Sequence, residues 1–189
     1  MSNHCKYLTS DKLSLNKLNF KSFHCDDMSV TKSSDKTYSE CNDFNKDHPC
    51  FGYLQVYYLK NPMLYITTPK MKCLFGIQNR GNGNFQMSLQ FTDLEEDPYM
   101  KDFFEFIQGA EFHAMKSLGL TAEDADRFVS QIQYDKKEMY EPNLNVKLPF
   151  QYNQFLTDIY SEYSSGVNIF NIRKFQMMEC DLYVDRIWR

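Results

Sequence analysis

No apolar run in the chain approaches the roughly 20 residues that a membrane-crossing helix needs, and the opening MSNHCKYLTSDK lacks the apolar core of a secretory signal. These absences predict an intracellular protein with no membrane partner. Cysteines are few for a disulfide-stapled domain: six, at positions 5, 25, 41, 50, 73 and 180, in no tight framework, so free thiols are expected. The chain has no P-loop, no dinucleotide-binding glycine signature, no HExxH, no GxSxG and no kinase motif set. No catalytic residue is assigned, and no enzyme activity is expected. His48-Pro49-Cys50 resembles part of a deaminase zinc motif, but no second cysteine follows at the required spacing and no His-x-Glu precedes it. His4-Cys5, His24-Cys25 and His48-x-Cys50 do not form the close pairs of a structural zinc site either. Neither a metal nor another cofactor is expected.

The most informative absence is local. The 189 residues carry a net charge of -4, yet residues 51–92 contain no Asp or Glu. The same stretch holds Lys60, Lys70, Lys72 and Arg80 among many aromatics. The excess acid lies in residues 93–141, whose 13 acids outnumber 5 bases. There it reads as a solvated helix face, and Glu95-Glu96 as a helix-dipole feature rather than a catalytic dyad. A chain sorted in this way can hold an anion on one face while staying acidic overall.

Residues 1–50 are rich in Ser, Asn, Asp and Lys, and Phe20, Phe23 and Phe44 share no sustained period. They are expected to form a flexible polar arm. From Phe51 the pattern becomes that of strands. FGYLQVYYL and MLYITTP are dense in β-favouring residues, and Asn61-Pro62 marks a turn between them. MKCLFGI continues extended, and Gly81 to Asn84 read as a flexible loop or a hairpin tip. FQMSLQF alternates Phe85, Met87, Leu89 and Phe91 against Gln86, Ser88 and Gln90, as a half-buried antiparallel strand does. A helical insertion is predicted over about 97–133. Asp97 caps its first helix, Pro98 occupies the first position and Gly119 ends it. A second helix is predicted from Thr121 through Ile132. LNVKLPF again alternates, and VNIFNI and MMECDLYVDRIW read as closing strands. QFLTDIYSEY fits either helical or strand spacing. The fold predicted is β-rich α+β: an OB-like, partly open antiparallel β-barrel with a helical insertion, residues 51–189, behind the arm.

Aromatics interleaved with bases on strands are what single-stranded nucleic acid requires. Bases attract the phosphate chain, and aromatic faces stack on exposed nucleobases. The candidates are Lys60, Lys70, Lys72, Phe75, Arg80, Tyr140, Lys147 and Phe150, with Tyr152, Arg173, Lys174, Arg186 and Trp188 on the later strands as further suppliers. An aromatic on a sheet is more often core than platform, so one of the stacking candidates is expected to be core.

YITTPKMKCLFGI (65–77) resembles a stretch of the single-stranded DNA-binding OB-fold proteins of nucleocytoplasmic large DNA viruses, the phage-type family. FQMSLQF before a Phe-rich helix, YEPNLNVKLPF (140–150) and MECDLYVDRIW (178–188) are similar to further pieces of that family in compatible order. Leu74 stands where the family pattern favours Pro. The family continues through a further strand after the position of Trp188, and some related proteins recruit partners through an acidic C-terminal tail. The resemblance implies sequence-tolerant binding of single-stranded DNA in viral DNA replication, recombination or repair. Viral replication proteins would be partners, in the host cytoplasm or nucleus, and a homo-oligomer is compatible with this reading. The alternative is a non-enzymatic viral scaffold or interaction module on the same fold.

Overall fold

The computed structural model describes residues 7–25, 52–137, 139–161, 164–184 and 186–188. Its strands begin with β1 Leu18–Cys25, β2 Gly52–Tyr58, β3 Leu64–Thr67, β4 Met71–Cys73, β5 Gln78–Asn79 and β6 Phe85–Gln90. The helix α1, Pro98–Ser117, comes next. After it run β7 Ile132–Gln133, β8 Asn143–Leu148, β9 Phe150–Gln151, β10 Gln154–Phe155, β11 Tyr160–Ser161, β12 Ser164–Ser165, β13 Gln176–Met178, β14 Asp181–Val184 and β15 Arg186–Trp188. Every pairing between these strands is antiparallel. The protein is therefore β-rich α+β, as its alternating segments predict. The strands fall into separate sheets, and among the described residues none closes into a barrel. No described helix is long and apolar enough to cross a membrane.

The chain divides into two compact units. Unit one draws on Met1–Thr67, Glu105–Phe128 and Asp181–Arg189, and unit two on Thr68–Phe104 and Val129–Cys180.

Unit one holds the sheet β1-β2-β15 and the pair β14-β3. Strand β2 buries Gly52, Leu54, Val56 and Tyr58 and leaves Tyr53, Gln55 and Tyr57 half-buried. This is the two-residue period of a strand with one covered face. Leu54 and Leu118 pack together, with Phe20, Leu120, Phe128 and Ile187 against them. The later turns of α1 bury Phe106 and Ala114. Leu15 nests over Gly109, where a Cβ would run into its Cδ1.

The arm expected over residues 1–50 is in part built into this unit. Strand β1 pairs with β2 from Leu18↔Tyr58 to Cys25↔Gly52, and Leu8 bridges to Ile66. Tyr58 anchors the segment before β1: its Oη accepts from the Ser14 N–H at 3.1 Å and donates to the Lys12 carbonyl at 3.2 Å. A β-bulge explains why the sequence hides this strand. Between Lys21 and Phe23 the register shifts, from Lys21↔Gln55 to Phe23↔Leu54, so β1 carries one residue more than its partner. The extra residue breaks the two-residue period of the strand. The rest of that stretch, residues 26–51, lies outside the described residues, as do His4, Cys5 and the His48-Pro49-Cys50 segment.

Unit two holds the sheet β13-β4-β6-β8-β7, with β5 also paired to β6. Met71, Cys73, Met87, Leu89, Leu144 and Ile132 are buried on one face. Phe91, Met100 and Phe103 are also fully buried, with the Phe91 and Phe103 rings 5.9 Å apart. The Asp97 carboxylate accepts from the Tyr99 and Met100 N–H groups, the cap predicted at the start of α1. At the crossing from β3 to β4, Pro69 has no N–H to give. Just before it, the Thr68 N–H donates to the Cys180 carbonyl at 2.9 Å, and the Cys180 N–H donates to Thr68 Oγ1 at 3.0 Å.

Two predicted elements differ. In place of a second α-helix, unit one has a 3₁₀ segment, Ala122–Arg127. The Asp124 carboxylate accepts from the Thr121 N–H and hydroxyl and meets the Arg127 guanidinium at 3.0 Å. These bonds satisfy the first turn, and the chain turns extended at Phe128, so the helical start is not propagated. VNIFNI, predicted as a strand, forms the 3₁₀ turn Ile169–Asn171 in unit two, where Asn168 accepts from the Phe170 N–H.

Candidate nucleic-acid interface

Directly opposed residues of antiparallel strands point to the same face, so register alone maps the open side of the unit-two sheet. Met177 lies opposite Lys72, Lys72 opposite Gln90, Gln90 opposite Asn143, and Asn143 opposite Gln133. One row along, Ser88 faces Asn145. A further row runs Gln78, Gln86, Lys147. The face therefore carries Lys72 and Lys147 among amides and a hydroxyl, and none of these paired positions is acidic. Arg80 joins it from beyond β5. Its Nη2 donates to Gln78 Oε1 at 3.1 Å, and with the Gln86 amide oxygen turned toward it, Nε and Nη2 each lie 2.8 Å from that oxygen.

Each part has a local cause. Alternation places Gln86, Ser88 and Gln90 opposite in direction to Met87 and Leu89, which the core requires. Ser88 is buried although it stands on the polar face, and its hydroxyl donates to Asn145 Oδ1 at 2.9 Å. That bond removes the cost of burying a lone hydroxyl. The Gly81–Asn84 tip is closed by Arg80 N–H to Asn84 carbonyl, 2.8 Å, and Asn84 N–H to Gly81 carbonyl, 2.9 Å. This closure fixes the backbone from which Arg80 reaches back over the sheet. Arg80 and Lys147 flank Gln86. Lys72 stands in the Gln90 row, four residues along β6 and so about 13 Å away.

The predicted residues do not all gather here. Lys72, Arg80 and Lys147 share the face. Lys70 is exposed just before β4, and Tyr140 is exposed before β8. Phe75 is 50% exposed in the bend after β4. The adjacent Gly76 holds φ +70° with its Cα hydrogen toward the Ile172 carbonyl, and a Cβ there would stand 3.0 Å from that oxygen. Phe150 is half-buried in an aromatic cluster, 4.7 Å from Phe85 and 4.9 Å from Phe155 between ring centroids. Lys60 belongs to unit one, in the turn after β2, beside an open depression that Lys17 also lines. The amides Gln78, Gln86, Gln90, Asn143 and Asn145 are not among the residues that the sequence alone puts forward. Their signal is the polar half of the same alternation that marks the core.

Among the described residues no three His, Cys, Asp or Glu side chains converge as a metal site would need. Cys73 is a buried free thiol, and burial pushes its pKa up, so it is held protonated beneath the sheet. In comparisons with known proteins, no family model, no curated protein and no solved structure matches the chain.

Proposed function

We propose that the protein binds single-stranded DNA without sequence preference through the polar face of the unit-two sheet, in viral DNA replication, recombination or repair. The observation that carries this reading is the company of Lys72, Arg80 and Lys147: an amide beside each of them and no acid at the paired positions of the face. Cations there neutralise phosphates and release their counterions. Amide donors bond phosphate oxygens or base edges, which fixes the strand without demanding one sequence. A carboxylate on this face would oppose the phosphate chain. This accounts for the acid-free stretch 51–92, which supplies β4, β5 and β6. An OB-like identity belongs to the same proposal. It is supported by antiparallel neighbours β4, β6 and β8, with α1 inserted between the last two in sequence, an open sheet face being the binding surface that OB folds use. Viral replication proteins as partners, and residence in the host cytoplasm or nucleus, follow from this role.

The test is fluorescence anisotropy of labelled oligonucleotides at low salt. Single strands are expected to bind more tightly than duplex. Lys72→Ala/Lys147→Ala is expected to weaken binding to all base compositions alike, because phosphate contacts carry no base information. Absence of binding to any oligonucleotide would overturn the proposal and leave a scaffold or interaction module, a role that the net charge of -4 also accommodates.

A further inference from the structure

The hairpin formed by β9 and β10 stands at the Arg80 and Lys147 end of the polar face in unit two. Lys147 lies in β8, just before the hairpin. Gly83, in the tip that follows Arg80, meets the Phe150 ring: a Cβ there would stand 3.5 Å from Phe150 Cδ1. The base of the hairpin is tightly packed. Phe150 pairs with Phe155, their ring centroids 4.9 Å apart, and Phe85 lies 4.7 Å from each. Phe170 adds a fourth ring, 5.5 Å from Phe155, and the Leu156 N–H donates to the Pro149 carbonyl at 3.0 Å. The tip is the opposite. Tyr152 is 96% exposed and holds φ +49°, and Asn153 follows at +61°. Positive φ at both central residues of a hairpin loop suits Asn, Asp and Gly, and disfavours a side chain such as tyrosine.

Neither burial nor backbone preference accounts for a tyrosine at this position. Its ring is a bare aromatic surface carried on a packed base, close in sequence to a cation of the polar face. No Asp or Glu occurs from Pro142 to Thr157, the stretch that carries β8, β9 and β10. A phosphate chain laid along Lys147 and Arg80 therefore meets no carboxylate from this stretch as it passes the hairpin. An apolar protein partner would cover the ring and leave Lys147 unmatched. Duplex DNA presents phosphates but hides the faces of its bases. Single-stranded DNA presents both, and an aromatic ring stacks on any of its bases. We infer that Tyr152 is a base-stacking residue, taking up one nucleobase of a single strand whose phosphates lie on the polar face. The stacking role that the sequence suggests for Phe150 thus falls two residues later, and Phe150 supports the hairpin from below. The inference rests on the proposed binding of single-stranded DNA through the polar face of unit two.

The full-length protein is titrated, by anisotropy, into labelled oligo(dT) and into an abasic strand of equal length, which keeps the phosphates and lacks the bases. The native protein is expected to bind oligo(dT) more tightly than the abasic strand. Tyr152→Asn removes the ring and suits the turn, so its melting temperature should equal or exceed that of the native protein. Its affinity for oligo(dT) should fall by about fivefold to a hundredfold, the worth of one aromatic stack. Its affinity for the abasic strand and its salt dependence should not change, since no charge is removed. Tyr152→Phe, which keeps the ring, should bind as the native protein does. Unchanged oligo(dT) affinity in Tyr152→Asn overturns the inference and leaves the phosphate reading standing. So does equal binding of the two strands by the native protein, an equal loss on both strands in Tyr152→Asn, or a Tyr152→Phe variant as weak as Tyr152→Asn. A lowered melting temperature in Tyr152→Asn would mean that the ring packs against the protein, and overturns it as well. No binding of any oligonucleotide by the native protein overturns both readings.

Discussion

On the unit-two sheet, Lys72, Arg80 and Lys147 sit among amide side chains, and the aromatics Phe85, Phe150 and Phe155 form a cluster of their own. On the outer sheet of unit one the amides are largely replaced by rings, and Arg186 and Lys21 lie against Tyr and Trp. Both surfaces are antiparallel sheets with a packed side and an open side. Both lack acid at their paired positions, which in unit one set Tyr53 against Trp188 and Gln55 against Lys21 and Arg186. What separates them is the company of the cations: amides in one case, two of which hold Arg80, and ring faces in the other. The neighbours of a cation, more than the number of cations, decide what a sheet face can hold.

The largest expected effect comes from removing the floor of one face while leaving its charges alone. Leu89 is fully buried beneath the row that carries Lys72 and Gln90. Leu89→Ala should cost about 2–5 kcal/mol of stability. Chemical denaturation should show that loss, and a change under about 1 kcal/mol would mean that the sheet is not packed there.

A smaller effect sharpens the unit-one side. Tyr58→Phe removes the two hydrogen bonds that tie Ser14 and Lys12 to β2 and should cost about 0.5–1.5 kcal/mol. Burial, partly offset by the Ser14 N–H, raises the Tyr58 phenol above its usual pKa. Its stabilising contribution is therefore complete below about pH 10, the unfolded value, and is lost as pH rises through the raised folded value. Denaturation from pH 8 to 11 should show an alkaline decline that Tyr58→Phe makes shallower. An identical decline in both proteins would remove Tyr58 from the account.

The smallest effect lies at the 3₁₀ turn. Hydrogen bonds from the Thr121 N–H, then from its hydroxyl and from Arg127, hold the Asp124 carboxyl below its usual pKa. Its contribution is present above about pH 4, the unfolded value, and fades as pH falls through the lowered folded value. Asp124→Asn should flatten that part of the acid denaturation curve and leave the neutral region nearly unchanged. A steeper acid decline in the variant would contradict the assignment.

How much of this is legible in the sequence depends on period and distance. FQMSLQF and LNVKL show their two faces because each keeps a two-residue alternation, and that alternation delivers Lys147 to the polar face. The acid-free stretch points to Lys72 and Arg80 because β4, β5 and β6 are close in sequence. Strand β1 is not legible, since the bulge after Lys21 breaks its two-residue period. The Lys21, Tyr57, Arg186 and Trp188 surface cannot be assembled without it, because β1 and β15 meet only through β2. Phe150 reads as a stacking residue because it is an aromatic near a base, Lys147, at the end of an alternating stretch. Its packing against Phe85 and Phe155 depends on the Phe150–Phe155 hairpin, whose turn residues Tyr152 and Asn153 both have positive φ. A Tyr at such a turn position carries none of the usual Asn-Gly signal. The 3₁₀ segment after Thr121 reads as a helix start because its cap is that of a helix.

The central claim is that the polar face of unit two holds the phosphate chain. The salt dependence of oligo(dT) affinity, measured by anisotropy for the native protein and for Lys72→Ala/Lys147→Ala side by side, tests it most directly. The account predicts binding at low salt, a linear fall of log affinity with log salt, and a slope shallower by about 1.4 in the variant, about 0.7 for each of the two phosphates that its missing lysines leave unneutralised. Equal affinity and equal slope in the two proteins would contradict it.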